Sequence, residues 1–375
     1  MMDSLRQPDK KCLLSIDGGG IRGVMSLQIL QRIELIAERI SGNPTICLSE
    51  CFDYIGGTST GGILAAGLAC GMRVSELESF YLDQAANMFT PNTHWFKRYT
   101  SAKYDSGALQ SKLQEVFGAT TTLGSSKLRS LLMLVMLNAS TSSPWPISSN
   151  PNALYNELDT CGTKSNLHLP LWQLVRASAA APFFFEPEAI SIEGKQYLFY
   201  DGALTSYNNP AFKLFQMATL PQYRLEWPVG SEKMLMVSVG SGLLSRSIGL
   251  KDPKSVSFLE SLHTAIQSMM FTGTTEQDLL CRSFSDVRAG DPIDSEVGPL
   301  LGSGSIGGRP LFSYARYNAD LSPSALCTNG LKSLANVSFS IDSLNAIQPC
   351  IEVGKQVAES KVLASHFAGF WTCEN

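Results

Sequence analysis

The amino-acid sequence predicts an α/β protein whose mostly parallel sheet is covered by helices. Short apolar segments that suit buried strands alternate along the chain with longer segments of helical periodicity, and this alternation is typical of parallel sheets. Several of the apolar segments end in glycine-rich turns, which allow a strand to pass directly into a helix. Residues 131–137 are apolar at every position, as expected of a strand that is buried on both faces.

The first elements follow one another in a regular order. Residues 11–16 suit a buried strand, and the next segment has apolar residues three and four positions apart, which predicts a helix that ends at Gly42. A strand at residues 51–55 then leads through a glycine-rich turn into an apolar helix at residues 63–70. The pattern Ser-Glu-Leu-Glu at residues 75–78 is a capping box, which predicts the start of a further helix.

The later elements are less regular in their spacing. The patterns predict helices at residues 106–117 and 171–181, strands at residues 131–137, 196–200 and 234–239, and a polar loop at residues 140–152. Beyond residue 242 the periodicity weakens. Residues 290–308 are rich in Gly, Ser and Pro and predict a long loop, and residues 351–370 suit a terminal helix.

Composition excludes several classes of protein. The 375 residues are 44% apolar and only 17% charged, against about 25% in an average globular protein, which excludes a disordered chain. With 29 Lys and Arg against 33 Asp and Glu, the net charge of −4 gives no general attraction to nucleic acid. No apolar run reaches the roughly 18–20 residues of a membrane span, and the N-terminus lacks a signal-peptide core. We therefore expect a soluble, intracellular protein.

The nine cysteines are scattered along the chain and form no C-x-x-C pair. An odd number without such pairing is typical of reduced thiols in a cytosolic protein. None of the four histidines lies at ligand spacing from a cysteine pair, so we expect neither a zinc site nor another metal site.

Residues 57–61 (GTSTG) match the pattern G-x-S-x-G, with a predicted strand before them and a predicted apolar helix after them. This context places Ser59 on a sharp strand-to-helix turn, with its hydroxyl held out beside the N-terminus of the helix. Gly57 and Gly61 leave room for the turn, and the helix dipole favours negative charge nearby. The pattern indicates a nucleophilic serine, and a Gly- and Ser-rich turn without chemistry is the alternative.

A second glycine-rich turn, residues 17–23 (DGGGIRG), also lies between a predicted strand and a predicted helix. Its spacing matches the dinucleotide-binding fingerprint G-x-G-x-x-G. That fingerprint also requires a second strand that ends in an acidic residue about 20 positions later, but the corresponding stretch of this sequence is predicted to be helical. The alternative is an oxyanion hole, in which consecutive backbone N–H groups point into one space and Arg22 adds positive charge. Both interpretations describe an anion site, and only the second requires a nearby serine.

A nucleophilic serine requires a base. All four histidines follow Ser59 in the chain, but none of them ends a predicted strand in a glycine-rich turn. Asp201 has this position, because it follows the strand at residues 196–200 and precedes Gly202 and Ala203. A carboxylate there can point into a cleft, and an Asx turn at a strand end is the alternative. Sequence spacing does not decide between the two.

Three motifs in chain order, residues 17–23, 57–61 and 201–203, resemble those of the patatin-like phospholipase family. Further landmarks of that family match at residues 102–105, 176–182, 208–210, 238–242 and 314–318. The resemblance implies a three-layer α/β/α patatin-like fold with a central, mostly parallel sheet. It also implies a catalytic core at residues 11–242 and a C-terminal extension at residues 243–375, packed on the core as a lid or regulatory part.

By this resemblance Ser59 is the nucleophile and Asp201 is its direct base, in a Ser–Asp dyad without histidine. The implied oxyanion hole consists of Gly18, Gly19, Gly20 and Arg22, and the remaining motif positions are Gly57, Gly61, Gly202 and Ala203. Many relatives have a second glycine at the position of Ala203, although alanine also occurs there. A carboxylate with an ordinary pKa of about 3.9 is a weak base for an alcohol, so the dyad requires a dry cleft.

The implied activity is acyl transfer from a lipid ester through an acyl-enzyme. We expect a phospholipase without cofactor that cleaves fatty acyl esters of membrane glycerophospholipids, is cytoplasmic, and lies at the inner face of the membrane when active. Residues 94–99 mix aromatic and basic side chains, which suit transient contact with an anionic membrane surface. The resemblance extends to bacterial antiphage defence enzymes, which leaves a cyclic di- or oligonucleotide activator open.

Two other interpretations remain open. A storage or binding protein without enzymatic activity would keep this fold, although the presence of both Ser59 and Asp201 favours an enzyme. A nucleotide-dependent oxidoreductase would use the glycines of residues 18–23 to bind its cofactor.

Overall fold

The structure, a computed structural model, describes residues 5–7, 9–88, 104, 106–157, 165–244 and 258–372. Its strands are β1 (Lys11–Ile16), β2 (Tyr54–Thr58), β3 (Leu131–Asn138), β4 (Ser143–Ser148), β5 (Glu188–Ile192), β6 (Lys195–Asp201), β7 (Met234–Val239), β8 (Ser285–Ala289) and β9 (Phe312–Tyr317). Its helices are α1 (Gly23–Ser41), α2 (Leu48–Cys51), α3 (Thr60–Ala69), α4 (Val74–Met88), α5 (Ser106–Phe117), α6 (Leu171–Ser178), α7 (Ala211–Thr219), α8 (Phe258–Ser283), α9 (Pro323–Thr328) and α10 (Ile347–Lys361).

The strands form a sheet with the order β5-β6-β3-β2-β1-β7-β9-β8, and β4 pairs with β3 outside this order. From β3 to β8 all neighbouring strands along this order are parallel. At the other edge β4 and β6 each pair with β3, and β5 pairs with β6, all in antiparallel fashion. The sheet is therefore mostly parallel, which confirms the predicted fold class.

The two faces of the sheet bury separate apolar clusters. Because successive side chains of a strand point to opposite faces, Cys12 and Leu14 of β1 belong to one cluster and Leu13 belongs to the other. The first cluster includes side chains of α1, α3, α4, α6 and α10, and the second includes those of α7. Helices thus cover both faces of the sheet, and its central strands are apolar at nearly every position for this reason.

The central elements confirm several sequence predictions. β7 has the predicted bounds, and β3 extends the predicted strand at residues 131–137 by one residue. α1 ends before Gly42, whose φ of 65° is the left-handed conformation in which glycine often follows a helix. No strand or helix is assigned within residues 290–308, which confirms the predicted loop.

Other predictions were wrong in detail. Cys51 ends α2, so the second strand begins at Tyr54 rather than at residue 51. α4 begins at Val74, with the Glu76 carboxylate accepting a hydrogen bond from the Arg73 N–H, so residues 75–78 are not a capping box. β4 lies inside the segment that was predicted as a polar loop, and its prolines are tolerated because the strand pairs with β3 alone.

The described residues after 242 contribute two strands of the sheet, β8 and β9, and the three α-helices α8, α9 and α10. β9 pairs with β7 over residues 313–317, and α10 packs against α1. The C-terminal helix α10 ends at Lys361, well before the predicted residue 370. The sheet is thus continuous across residue 242, and a boundary between core and extension at this residue stays a proposal. Among the described helices, none combines the length and the apolar character that a membrane crossing requires.

We expect that a chain ending at Gly242 does not fold cooperatively. Without β9, the fully buried strand β7 becomes a sheet edge, and α1 loses the apolar contact with α10. Urea unfolding followed by circular dichroism should show no sigmoidal transition for residues 1–242, against one clear transition for the full chain. A sharp transition in the truncated chain would establish residues 11–242 as an independent domain.

Candidate active site

Ser59 lies on a sharp turn between β2 and α3. Its backbone has φ 56° and ψ −127°, a conformation that costs a residue with a side chain about 1–3 kcal/mol. The strand ends at Thr58 and the helix begins at Thr60, which is the context that the G-x-S-x-G pattern requires. The strained turn presents the Ser59 side chain at the N-terminus of α3.

Two glycines make this turn sterically possible. A Cβ atom at Gly57 would lie 2.1 Å from the carbonyl oxygen of Gly61. A Cβ atom at Gly61 would lie 2.2 Å from the carbonyl oxygen of Ile16, at the end of β1. Because the obstructing atoms belong to the backbone, neither position has room for a side chain, and the turn packs directly against the segment that follows β1.

Asp201 ends β6 with its carboxylate facing this turn. The Ser59 hydroxyl donates a hydrogen bond to Asp201 Oδ2 at 2.6 Å, and the Ala203 N–H donates to Oδ1 at 2.8 Å. Ser59 is 8% exposed and Asp201 is 2% exposed. A Cβ atom at Gly202 would lie 2.3 Å from the carbonyl oxygen of Val135. The structure thus brings together the serine and the carboxylate that the sequence singled out.

The surroundings of Asp201 make its carboxylate a stronger base. Burial raises the pKa of Asp201 from 3.8 to about 7, against the opposing effect of the hydrogen bonds from Ser59 and Ala203. Desolvation penalises the charged form of a carboxyl group. At neutral pH this group can therefore both accept and release a proton, as general acid–base catalysis requires.

Ser178, at the end of α6, holds the backbone of Ser59. Its Oγ accepts a hydrogen bond from the Ser59 N–H at 3.0 Å and donates one to the carbonyl oxygen of Val135 at 2.6 Å. The side chain is fully buried. The sequence placed this residue in a family landmark, residues 176–182, but gave no signal for its role, because its partner lies 119 positions away.

The glycine-rich turn after β1 lies beside Ser59. Gly19 and Gly20 line the same cavity as Ser59 and Asp201. Among the described residues the N–H groups of Gly19 and Gly20 have no hydrogen-bond acceptor. The carbonyl oxygen of Gly20 is held by the Thr60 hydroxyl at 2.9 Å and by the Tyr81 hydroxyl at 2.5 Å. These two N–H groups are the free donors of the turn.

Two members of the predicted oxyanion hole occupy different surroundings. The Gly18 N–H already donates to the carbonyl oxygen of Asn208 at 3.0 Å, so it is not free to bind an oxyanion. The Arg22 side chain is buried and lines a neighbouring cavity with Gly18 and Asn208, whereas Ser59 does not line that cavity. Of the four predicted members of the oxyanion hole, only Gly19 and Gly20 have N–H groups that are free among the described residues and line the cavity at Ser59. Their role as oxyanion donors stays a prediction.

The cavity at Ser59 is mostly apolar. Its wall includes the side chains of Ile63, Leu109, Pro182, Phe183, Phe184, Phe185, Leu204 and Met270. Phe183 is 51% exposed and has a left-handed φ of 69°. The triple phenylalanine thus forms part of the wall of the cavity that Ser59 lines.

No histidine lines this cavity in the described part of the chain. His366 lies elsewhere, with its Nδ1 hydrogen-bonded to the Tyr317 hydroxyl at 2.8 Å. Across the residues that the structure describes, no three His, Cys, Asp or Glu side chains are arranged to hold a metal ion. Residues 94–99, predicted to contact a membrane, lie outside the described residues, as do all of residues 102–105 except Tyr104.

A family model for the patatin-like phospholipases matches residues 14–215, more than half of the chain. The chain belongs to the patatin-like phospholipase family. The matched region contains all three motifs, including Ser59 and Asp201.

Two curated members of the family show how far the likeness extends. A cGAMP-activated phospholipase from Escherichia coli (strain TW11681) is 30% identical over 234 residues, which are 61% of this chain and 61% of the relative. Patatin-1-Kuras 2 from Solanum tuberosum is 29% identical over 250 residues, which are 62% of this chain and 63% of the relative. The match thus spans about three fifths of the length of these patatin-like relatives.

Among solved structures, VipD from Legionella pneumophila is similar over 95% of this chain and 68% of its own chain, with a TM-score of 0.36 and 13% identity.

We expect the stability of the protein to depend on pH through Asp201. The pKa of this carboxyl is about 7 in the folded chain, against an ordinary value of 3.8, so the native state binds its proton more tightly than the unfolded state does. Stability from this group therefore falls as the pH rises from about 4 to 7. Asp201→Asn has no carboxyl group to titrate, so it lacks this pH-dependent loss of stability. Between about pH 4 and pH 7 the free energy of unfolding of the variant, relative to that of wild type, should therefore increase by on the order of 4 kcal/mol.

Urea unfolding of both proteins between pH 4 and pH 8 measures this difference. Asparagine can still accept the hydrogen bond from Ala203 and donate one to Ser59, so the geometry of the site is preserved. Asp286→Asn, on an exposed part of β8, controls for the substitution itself. A stability difference between Asp201→Asn and wild type that does not change with pH would contradict the raised pKa.

Proposed function

We propose that this protein is a lipid acyl hydrolase that cleaves fatty acyl esters of membrane glycerophospholipids through Ser59 and Asp201. One observation carries the proposal. The Ser59 hydroxyl donates a 2.6 Å hydrogen bond to a buried carboxylate at the wall of an apolar cavity. Membership of the patatin-like phospholipase family supports the same chemistry.

In the acylation step Ser59 Oγ attacks the carbonyl carbon of the ester while Asp201 accepts the hydroxyl proton. The negative charge that develops on the carbonyl oxygen is stabilised by the free N–H groups of Gly19 and Gly20. When the tetrahedral intermediate collapses, Asp201 returns the proton to the departing lysophospholipid alcohol. The fatty acyl group remains on Ser59 as an ester.

In the deacylation step a water molecule takes the place of the alcohol. Asp201 accepts a proton from this water, which attacks the acyl-enzyme, and then returns the proton to Ser59 Oγ. A base with a pKa of about 7 serves both directions of transfer, because it is neither fully protonated nor strongly acidic at neutral pH. The reaction needs no group other than these side chains, the backbone amides and water.

The walls of the cavity support a substrate with a fatty acyl chain. Ile63, Leu109 and Phe185 are buried in its wall and offer an acyl chain an apolar surface, which favours desolvation of the chain. The half-exposed Phe183 also lines the cavity, and it suits contact with the acyl region of a bilayer. We propose a cytoplasmic enzyme that contacts the inner face of the membrane transiently.

We propose a cyclic di- or oligonucleotide as the activator, by analogy with one relative. The Escherichia coli relative is named as a cGAMP-activated phospholipase, and we propose a role of this chain in antiviral defence. The free enzyme would then be a slow hydrolase until the nucleotide binds.

We expect Ser59→Ala and Asp201→Asn to lose at least about 10³-fold in the rate of fatty acid release, because one removes the nucleophile and the other the base. Mass spectrometry of phospholipid vesicles incubated with each protein measures free fatty acid and lysophospholipid. Ser111→Ala, on the exposed face of α5, should match wild type. An inert wild type, with and without activator, would favour the storage or binding interpretation.

Activation is tested with the same vesicles and a panel of cyclic dinucleotides and oligonucleotides. We expect one of them to raise the rate of wild type at least about tenfold, a change in free energy of roughly 1.4 kcal/mol, and to raise the melting temperature of Ser59→Ala through binding. Unchanged rates and melting temperatures across the panel would exclude a nucleotide activator of this class.

A further inference from the structure

A buried ion pair ties the glycine-rich turn to β9. Asp17 Oδ1 accepts a hydrogen bond from Arg316 Nη1 at 2.8 Å, and Oδ2 accepts one from Nη2 at 2.5 Å. Arg316 Nη1 also donates to the Ser238 hydroxyl on β7 at 2.7 Å. Asp17 is 2% exposed and Arg316 is 3% exposed. The pair thus joins residues that are 299 positions apart in the chain.

Stability alone gives little reason for such a pair. Removing two charges from water costs about as much free energy as their attraction returns, and apolar replacements of buried pairs are often neutral. Burial raises the pKa of Asp17, and the Arg316 guanidinium opposes this rise. A two-pronged guanidinium contact does, however, fix both the position and the orientation of a carboxylate.

The backbone of Asp17 lies between β7 and the turn that carries Ser59. Its N–H donates to the carbonyl oxygen of Val239 at 3.0 Å, and its own carbonyl oxygen lies 2.5 Å from where a Cβ atom at Gly61 would be. The glycines of the turn follow it directly. Asp17 therefore connects the ion pair to the start of the turn that carries the Gly19 and Gly20 N–H groups.

Arg316 has no place in the wall of the Ser59 cavity and instead lines a separate cavity with Asp278 and Asp291. We propose that Arg316 is a positioning residue for hydrolysis. It holds the Asp17 carboxylate, and through it the orientation of the Gly19 and Gly20 N–H groups toward the reacting oxygen. This inference rests on the proposed function, because it assigns those N–H groups to the oxyanion.

The test compares the full-length variants Arg316→Met, Arg316→Lys and Asp17→Asn/Arg316→Met with wild type. We expect kcat for a fluorogenic phospholipid to fall about 10–100-fold in Arg316→Met, somewhat less than the loss of an oxyanion donor itself, while KM changes less than threefold. Lysine keeps the charge but not the two-pronged contact, so Arg316→Lys should retain an intermediate kcat. Labelling of Ser59 by a fluorophosphonate should slow in parallel with kcat, since its phosphoryl oxygen needs the same donors.

The double variant separates positioning from stability. Arg316→Met leaves the buried Asp17 carboxylate without its partner and should lower the melting temperature. The double variant has no unpaired charge at this place, so its melting temperature should return most of the way to that of wild type. Its kcat should nevertheless stay low. Arg282→Met is the matched control, because Arg282 forms a similar buried two-pronged pair with Asp278, at 3.0 Å and 2.7 Å, and lies outside the wall of the Ser59 cavity. It should lower the melting temperature without a change in kcat.

Two results would overturn the proposal while leaving the function intact. One is a normal kcat in the double variant, and the other is an equal loss of kcat in Arg282→Met. If Arg316→Met does not fold, kcat of Arg316→Lys and of the double variant is compared with that of wild type instead. A wild type that hydrolyses no acyl ester would instead overturn the proposed function, and this inference with it.

Discussion

The candidate site depends on three places where backbone meets backbone with no room for a Cβ atom. Gly57 faces the carbonyl of Gly61, Gly61 faces that of Ile16, and Gly202 faces that of Val135. A side chain can often rotate away from a clash, but backbone held in a sheet or helix cannot, so these contacts are rigid. They hold the turn after β2 against the end of β1, and the end of β6 against β3. The 2.6 Å contact between Ser59 and Asp201 follows from this packing.

The same packing determines the electrostatics of the site. Exclusion of water from Asp201 raises its pKa to about 7, which weakens the folded state at neutral pH and strengthens the group as a base. The left-handed backbone of Ser59 adds a further cost to folding. Both costs fall on the two residues of the proposed dyad. This is the expected pattern when a site is selected for reactivity and the surrounding core supplies the stability.

The sequence predicted those features that depend on neighbouring residues. The turn at Ser59 and the strand end at Asp201 are visible locally, because glycines and apolar runs mark them. The sequence did not predict the role of Ser178, because nothing near a buried serine indicates that its Oγ accepts a hydrogen bond from the Ser59 N–H. Gly18 was assigned as an oxyanion donor because a glycine run does not reveal which N–H is already bonded to a distant carbonyl, here that of Asn208. These contacts join residues more than 100 positions apart, so only the folded chain reveals them.

The two halves of the proposed machinery are held by different parts of the chain. The dyad is bonded to Ser178 and Ala203, which both precede residue 242 and lie within the family match.

The glycine-rich turn at residues 17–23 is held in part by residues that follow residue 242. Arg316 binds Asp17, and the carbonyl oxygen of Ile341 accepts the Ile21 N–H at 2.8 Å. Thr274 of α8 accepts a hydrogen bond at 2.9 Å from Asn208, whose carbonyl holds the Gly18 N–H. Residues beyond 242 thus hold the turn that carries the proposed oxyanion donors, and Met270 of α8 also lines the cavity at Ser59.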